Sequence, residues 1–265
     1  MTAPTTETVP LRHCSFEASV KVAGSGSPVV YLHTAGGPRW DAFLDAIAEH
    51  HTVYAPDHPG TGDTRRESIH DVDTLWDLIL IYDELLDGLG LDSVPVIGSS
   101  FGGMMACELA ALRPDRVSDL VLIDPIGLWR DDEPVAPYMM MSQADLVATL
   151  FSNLDAAPVQ DFLTLPSDPK DIAVAMADSI WALGATGKFV WPIPDKGLKK
   201  RLHRITARTL ILWGEDDKLI SSTYAHDFQV AIAGSRVEIV PGSGHVPQWE
   251  QLDTVVPLVL DHLRD

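Results

Sequence analysis

Apolar residues along the chain fall into two kinds of run that take turns. Short unbroken stretches, PVVYLH (28–33), TVYAPD (52–57), VPVIG (94–98), VSDLVLID (117–124), TLILWG (209–214) and RVEIV (236–240), are rich in Val, Ile and Leu and bounded by turn residues. Runs of this kind mark strands covered on both faces. Between them the apolar spacing lengthens. Leu75, Leu78, Ile79, Tyr82, Leu85, Leu86 and Leu89 recur at steps of three and four, which predicts an amphipathic helix over 71–89 with Gly90 as its stop signal. Trp40, Phe43, Leu44 and Ile47 predict a helix over 39–50. Further helices are expected at 101–112, where Pro114 ends FGGMMACELAAL, at 222–233 and at 250–264. Near the start, RHCSF and EASVKVA read as short strands of an antiparallel edge. Residues 1–10, polar and rich in Pro and Thr, read as a frayed tail.

Strand alternating with helix predicts an α/β fold with a mostly parallel central sheet and helices on both faces. The alternation lapses between about 126 and 206, where Met139, Phe151, Trp181 and Trp191 fall. We read residues 126–206 as a mostly helical insertion over one end of the sheet, interrupting a core made of 1–125 and 207–265. No internal repeat or low-complexity segment is visible.

Composition narrows the function classes. Of 265 residues, 46% are hydrophobic and 22% charged, which fits a globular chain and excludes general disorder. Lys and Arg number 19 against 38 Asp and Glu, a formal charge of −19. A surface that acidic repels phosphate backbones and anionic headgroups, so nucleic acid and membranes are not expected partners. A small-molecule substrate is; the oligomeric state stays open. Two cysteines, Cys14 and Cys107, make neither a disulfide framework nor a four-thiolate zinc site. MTAPTTETVP lacks the basic start and apolar run of a signal peptide. LILIYDELL, broken by Asp83 and Glu84, falls short of the ~18–20 residues of a membrane span. A cytoplasmic location is expected.

The chemistry starts at Gly98-Ser99-Ser100-Phe101-Gly102, a G-x-S-x-G segment between a strand and a helix. Such a segment also arises by chance as a small-residue turn; the strand before it, the helix after it and the partners downstream set this one apart. Flanking glycines permit a sharp turn that exposes the Ser100 hydroxyl, and the following helix aims its free N–H groups at the same spot. A serine needs a base to be a nucleophile at neutral pH. His245 lies in a Gly/Ser-rich loop, VPGSGHVPQWEQ, where a histidine is often merely solvated. The imidazole needs a carboxylate, and LILWGEDDKLI supplies Asp216 and Asp217 at a strand end. The order serine, acid, histidine favours function.

With HTAGG (33–37), DHPGTGDT (57–64), GSSFGG, WGEDD and GHVPQWEQ, the chain resembles the α/β-hydrolase fold superfamily over nearly its whole length. The resemblance implies a helical cap inserted after the sixth strand. It selects Asp217, three residues after the strand-end glycine, over Asp216 and over Asp124 in LVLIDP. It implies an oxyanion hole from the N–H groups of Phe101 and Ala35. Here His33-Thr34 replaces the usual His-Gly, so Thr34 enters as a substrate contact. Met139, Trp181 and Trp191 are expected to supply apolar substrate contacts from the cap. No metal and no organic cofactor is required.

The expected activity is cleavage of a carboxylic ester by Ser100, His245 and Asp217 through an acyl-enzyme. Hydrolases that cut a C–C bond of ring-fission dienoates share the GHxxQWE segment, but usually carry a cap arginine, and residues 131–199 contain none. Lactone or thioester cleavage and perhydrolysis use the same triad. A non-catalytic ligand-binding protein ranks below these. Serine in place of aspartate disfavours a dehalogenase or epoxide hydrolase. Asp57 and His58 read as a turn brace, His33 as a partner of loop backbone, Cys107 as core, His226 and His262 as helix surface. The run from Lys196 to Arg204 reads as a solvated helix face.

Overall fold

The unbroken apolar runs make the middle of one sheet. In the computed structural model, which describes residues 3–12 and 14–264, the strands are β1 (Thr5–Pro10), β2 (Glu17–Gly24), β3 (Pro28–Leu32), β4 (Thr52–Pro56), β5 (Val94–Ser99), β6 (Val117–Ile123), β7 (Arg208–Gly214) and β8 (Arg236–Val240). They lie in the order β1-β2-β4-β3-β5-β6-β7-β8. The β1/β2 and β2/β4 pairings are antiparallel, and every other pairing is parallel.

The central strands lack polar alternation because both sheet faces are covered. Val96, Leu120, Leu122, Ile211 and Trp213 point to one side, where they meet Leu78 and Leu85 of α2 (Leu75–Gly88), Met104 of α3 (Phe101–Leu112) and Phe228 of α7 (Thr223–Ala231). Ile97, Val121, Ile123, Leu210 and Leu212 point to the other, against Phe43 and Ile47 of α1 (Ala42–Ala48) and Val255 and Val259 of α9 (Leu252–Arg264). Each fully buried aliphatic side chain contributes about 1.5–3 kcal/mol. The helix expected from residue 71 begins at Leu75. Arg66–Asp71 forms a 3-10 turn, and a capping box between Thr74 and Asp77 starts the α-helix.

Residues 126–206 hold α4 (Gln143–Leu150), α5 (Ala157–Leu163) and α6 (Pro169–Val190), with short 3-10 turns and no strand among the described residues. The C-terminal helix is preceded by a short turn of helix, α8 (Pro247–Glu250). No helix among the described residues is long and apolar enough to cross a membrane.

Four expectations need correction. The N-terminal segment is not a frayed tail from residue 5 onward. Thr5–Pro10 pairs with β2, and only Val9 turns inward, so an edge strand with one buried side chain carries almost no hydrophobic signal. RHCSF forms no strand among the described residues: its positions 12 and 14–16 are bends, and His13 lies outside the description. His262 is buried, with Nε2 3.2 Å from the Arg208 carbonyl oxygen. The basic run is not simply solvated. Arg201 makes a two-pronged pair with Glu108 of α3, which is fully buried, at 2.7 and 2.6 Å, and Arg204 Nε donates to the Ala111 carbonyl at 2.9 Å. A buried carboxylate must be paired, and this run supplies the partner.

Candidate active site

Ser100 sits at the junction of β5 and α3 with φ 53° and ψ −112°. This is a backbone conformation that L-residues avoid, and it is held by its surroundings. The Ser100 N–H donates to the Ile123 carbonyl at 2.9 Å, and the Ser100 carbonyl accepts from Met104 N–H at 3.1 Å and Ile126 N–H at 3.2 Å. A Cβ on Gly98 would lie 2.5 Å from the Gly102 carbonyl oxygen, and one on Gly102 would overlap the Leu32 carbonyl. The two glycines are therefore required by close backbone approach, which is why the motif was legible.

His245 follows β8. Its backbone N–H donates to the Leu150 carbonyl at the end of α4, at 2.8 Å. Glu250 closes the same loop, accepting from Gly244 N–H at 2.7 Å, Ser152 N–H at 2.8 Å and Asn153 N–H at 2.6 Å. Burial raises its pKa against the pull of those three donors.

Asp217 follows β7. Its Oδ1 accepts from Leu219 N–H at 2.8 Å and Ile220 N–H at 3.0 Å. Its Oδ2 lies 2.7 Å from His245 Nδ1, and His245 Nε2 lies 2.8 Å from Ser100 Oγ. A carboxylate only accepts, so Nδ1 carries the ring proton and Nε2 presents a lone pair to the serine hydroxyl. All three residues are buried. Asp216 is turned elsewhere and accepts from Ser152 Oγ at 3.3 Å. Asp124, after β6, is fully buried and accepts from Gly214 N–H at 2.9 Å. Its pKa is driven well above the carboxylate range, first by burial and then by the charge of Asp217.

The loop after β3 holds Ala35. Neither the Ala35 nor the Phe101 backbone N–H donates to a protein acceptor among the described residues. Two histidines in contact fix this loop, with ring centroids 3.7 Å apart and the rings tilted by 47°. His33 Nε2 accepts from His58 N–H at 3.0 Å, so Nδ1 carries the proton and donates to the Thr34 carbonyl at 2.7 Å. His58 Nε2 donates to the His33 carbonyl at 2.9 Å, and its Nδ1 accepts from the Tyr82 hydroxyl. Burial holds both imidazoles neutral, His58 with a pKa down to about 4. The Thr34 hydroxyl accepts from Gly36 N–H at 3.3 Å. Asp57 Oδ2 braces the next turn, accepting from Asp63 N–H at 2.7 Å and Thr64 N–H at 3.2 Å.

Helix α6 reaches this loop. The Thr186 hydroxyl lies 3.3 Å from the Ala35 carbonyl, and Phe189 stacks on Phe101 at 6.3 Å. Met139 and Trp191 line an apolar cavity of about 370 Å³ with Ile126, Tyr138, Val190 and Pro192. Trp181 is exposed and does not line it.

Sequence reasoning placed His33 against loop backbone, as found, but missed Glu250, Thr186 and the Tyr82–His58 link. It also missed Gln248, whose Nε2 donates to Ser99 Oγ at 3.2 Å, and Trp249, whose Nε1 donates to Asp41 Oδ2 at 2.5 Å. Only Gln248 and Glu250, polar residues set in the apolar flank VPQWEQL, left a trace in the sequence.

A family model described as alpha/beta hydrolase fold matches residues 27–252. The chain is 25% identical over 269 residues to a 2-hydroxy-6-oxo-6-phenylhexa-2,4-dienoate hydrolase of Burkholderia cepacia, covering 95% of this chain and 92% of that protein. It is 28% identical over 264 residues to a 2-hydroxy-6-oxo-2,4-heptadienoate hydrolase of Pseudomonas putida, covering 93% of this chain and 92% of that protein. The solved structure of an esterase from Exiguobacterium antarcticum superimposes with a TM-score of 0.78 at 19% identity, covering 98% of this chain and all of that one, a likeness of fold alone.

Proposed function

The chain belongs to the α/β-hydrolase fold family, and on that premise we propose that it is a serine hydrolase opening a small-molecule carboxylic ester through an acyl-enzyme. The observation that carries the reading is the hydrogen-bonded line from Asp217 through His245 to Ser100.

Ser100 Oγ attacks the ester carbonyl as its proton passes to His245 Nε2, and Asp217 stabilises the imidazolium. The carbonyl electron pair moves to oxygen, where the Ala35 and Phe101 N–H groups receive it. One such donor is worth about 2.7–4 kcal/mol of barrier. Collapse breaks the C–O bond, and the alcohol leaves with the proton from His245. Water then attacks the acyl-enzyme, giving its proton to His245. A second collapse frees the carboxylic acid and returns the proton to Ser100. No step calls on a metal or organic cofactor.

In this reading residues 126–206 form the cap, and the cavity beside Met139 and Trp191 takes the apolar part of the ester. Thr34 borders the carbonyl end. The two free thiols, Cys14 and Cys107, suit a cytoplasmic enzyme. Replacing Ser100 by Ala should abolish p-nitrophenyl ester turnover and fluorophosphonate labelling with the circular dichroism unchanged. Turnover that survives the substitution overturns the reading.

A second reading, C–C cleavage of a 2-hydroxy-6-oxo dienoate, is favoured by the relatives named above. Such a substrate brings a carboxylate that needs a cation. Arg130 is committed to Asp132 and Asp227, Lys196 Nζ to the Trp191 carbonyl and Arg201 to Glu108, which favours the uncharged ester. Loss of the dienolate absorbance, measured beside a panel of esters, lactones and thioesters, separates the two.

A further inference from the structure

Behind the triad acid stands a second carboxyl group that the mechanism has not used. Asp124 closes β6 with φ 44°, in the left-handed region, and its side chain is fully buried. One of its oxygens, one oxygen of Asp217 and one ring nitrogen of His245 lie within 4.8 Å of one another. Asp124 Oδ1 accepts from Gly214 N–H, while Oδ2 is buried with no donor to meet it among the described residues. A buried carboxylate with one oxygen orphaned and a second carboxylate beside it is a costly arrangement.

We propose that Asp124 is a positioning residue that keeps its proton through the working pH range and donates it as a hydrogen bond to the Asp217 carboxylate. The proposal rests on the assignment of Ser100, His245 and Asp217 as the catalytic triad.

Two carboxylates buried this close cannot both ionise. Asp217 has two backbone N–H donors and the His245 ring; Asp124 has the single N–H of Gly214. The negative charge therefore resides on Asp217 and the proton on Asp124. Glu250, the other acid acting on Asp124, pushes the same way. The direction of the Asp124 pKa agrees, raised by burial and by Asp217. With the proton in place, the orphaned Oδ2 becomes a donor and Asp217 gains a further partner. That partner draws off part of the charge that holds the Nδ1 proton of His245. The imidazole stays oriented, with Nε2 toward Ser100.

The test titrates the His245 ring by NMR in the wild type, Asp124→Asn and Asp124→Gly. Asparagine keeps one donor and one acceptor at the same atoms and tolerates the left-handed backbone; glycine keeps the backbone and removes the donor. The midpoint should hold in Asp124→Asn and rise by on the order of one pH unit in Asp124→Gly. A midpoint that moves in Asp124→Asn, or stays put in Asp124→Gly, overturns the proposal. A residue that only braced Gly214 would alter stability without moving this midpoint. The infrared difference between wild type and Asp124→Asn at neutral pH should contain a carboxylic-acid C=O band, and its absence overturns the proposal even if Asp124→Gly does not fold. Neither readout needs a substrate, so failure of the ester reading is scored separately by the Ser100→Ala assay.

Discussion

Glu250 Oε1 holds the backbone N–H of Gly244 at 2.7 Å, one residue ahead of His245, while its other oxygen holds the N–H groups of Ser152 and Asn153. One side chain thus ties the histidine loop to the segment after α4. Replacing Glu250 by Ala should lower kcat about 10²-fold through misplacement of the base, with a smaller change in KM. Glu250→Gln, which keeps an acceptor oxygen, should recover part of the loss. Equal kcat in wild type and Glu250→Ala would remove the loop-positioning role.

Adjacent acids should behave differently. Asp217→Asn should cost about 10⁴-fold in kcat, the scale expected when the acid no longer fixes the histidine tautomer. Asp216, an exposed residue whose carboxylate accepts from Ser152 Oγ, should tolerate Asn to within about threefold, as surface substitutions usually do. Steady-state kinetics on the same ester decide, and reversed magnitudes would move the acid to Asp216.

Arg201→Ala leaves Glu108 charged, buried and unpartnered inside α3. The expected loss is about 3–5 kcal/mol, read by urea denaturation. Adding Glu108→Leu should restore most of it, since an apolar side chain of similar size suits that position. A double variant no more stable than Arg201→Ala contradicts this account.

Acid stability is a balance of opposite slopes. Burial lowers His58 from 6.5 to about 4. The unfolded chain takes up that proton first, so the stability His58 contributes is intact above about pH 6.5 and is lost as pH falls toward 4. Burial raises Asp57 from 3.8 to about 6. There the folded chain takes up the proton first, so Asp57 favours the fold increasingly as pH falls from 6 toward 3.8. In Asp57→Asn the opposing slope is gone, and Tm should drop more steeply between about pH 6 and 4 than in the wild type. Parallel curves would show that Asp57 has no part in the balance.

What the sequence revealed and what it hid have separate causes. Ser100 was legible because close backbone packing leaves Gly98 and Gly102 no substitute, so geometry is written in residue identity. The paired sheet faces were legible because β5, β6 and β7 bury both sets of alternate side chains. Strand β1 was hidden because pairing to β2 is made by backbone atoms, and only Val9 is buried. Position alone left Asp216 and Asp217 equal and the family resemblance chose Asp217; its physical ground, the Leu219 and Ile220 N–H groups, is not visible in composition. Helix α4 buries none of its side chains fully, Val147 and Leu150 being only half-buried, so its apolar spacing carries little signal. Glu250 and Arg201 find partners more than ninety residues away in sequence, beyond any local pattern.

The hydrogen bond from His245 N–H to the Leu150 carbonyl has a practical corollary for protein engineers. Residues 126–206, read above as the cap and so the stretch to exchange in retuning selectivity, contain a fastener for the proposed base. A transplanted segment must therefore reproduce that carbonyl, in place, before its new pocket can be judged; otherwise a chimera will be scored as unreactive toward every compound offered when the fault lies in an unmoored imidazole.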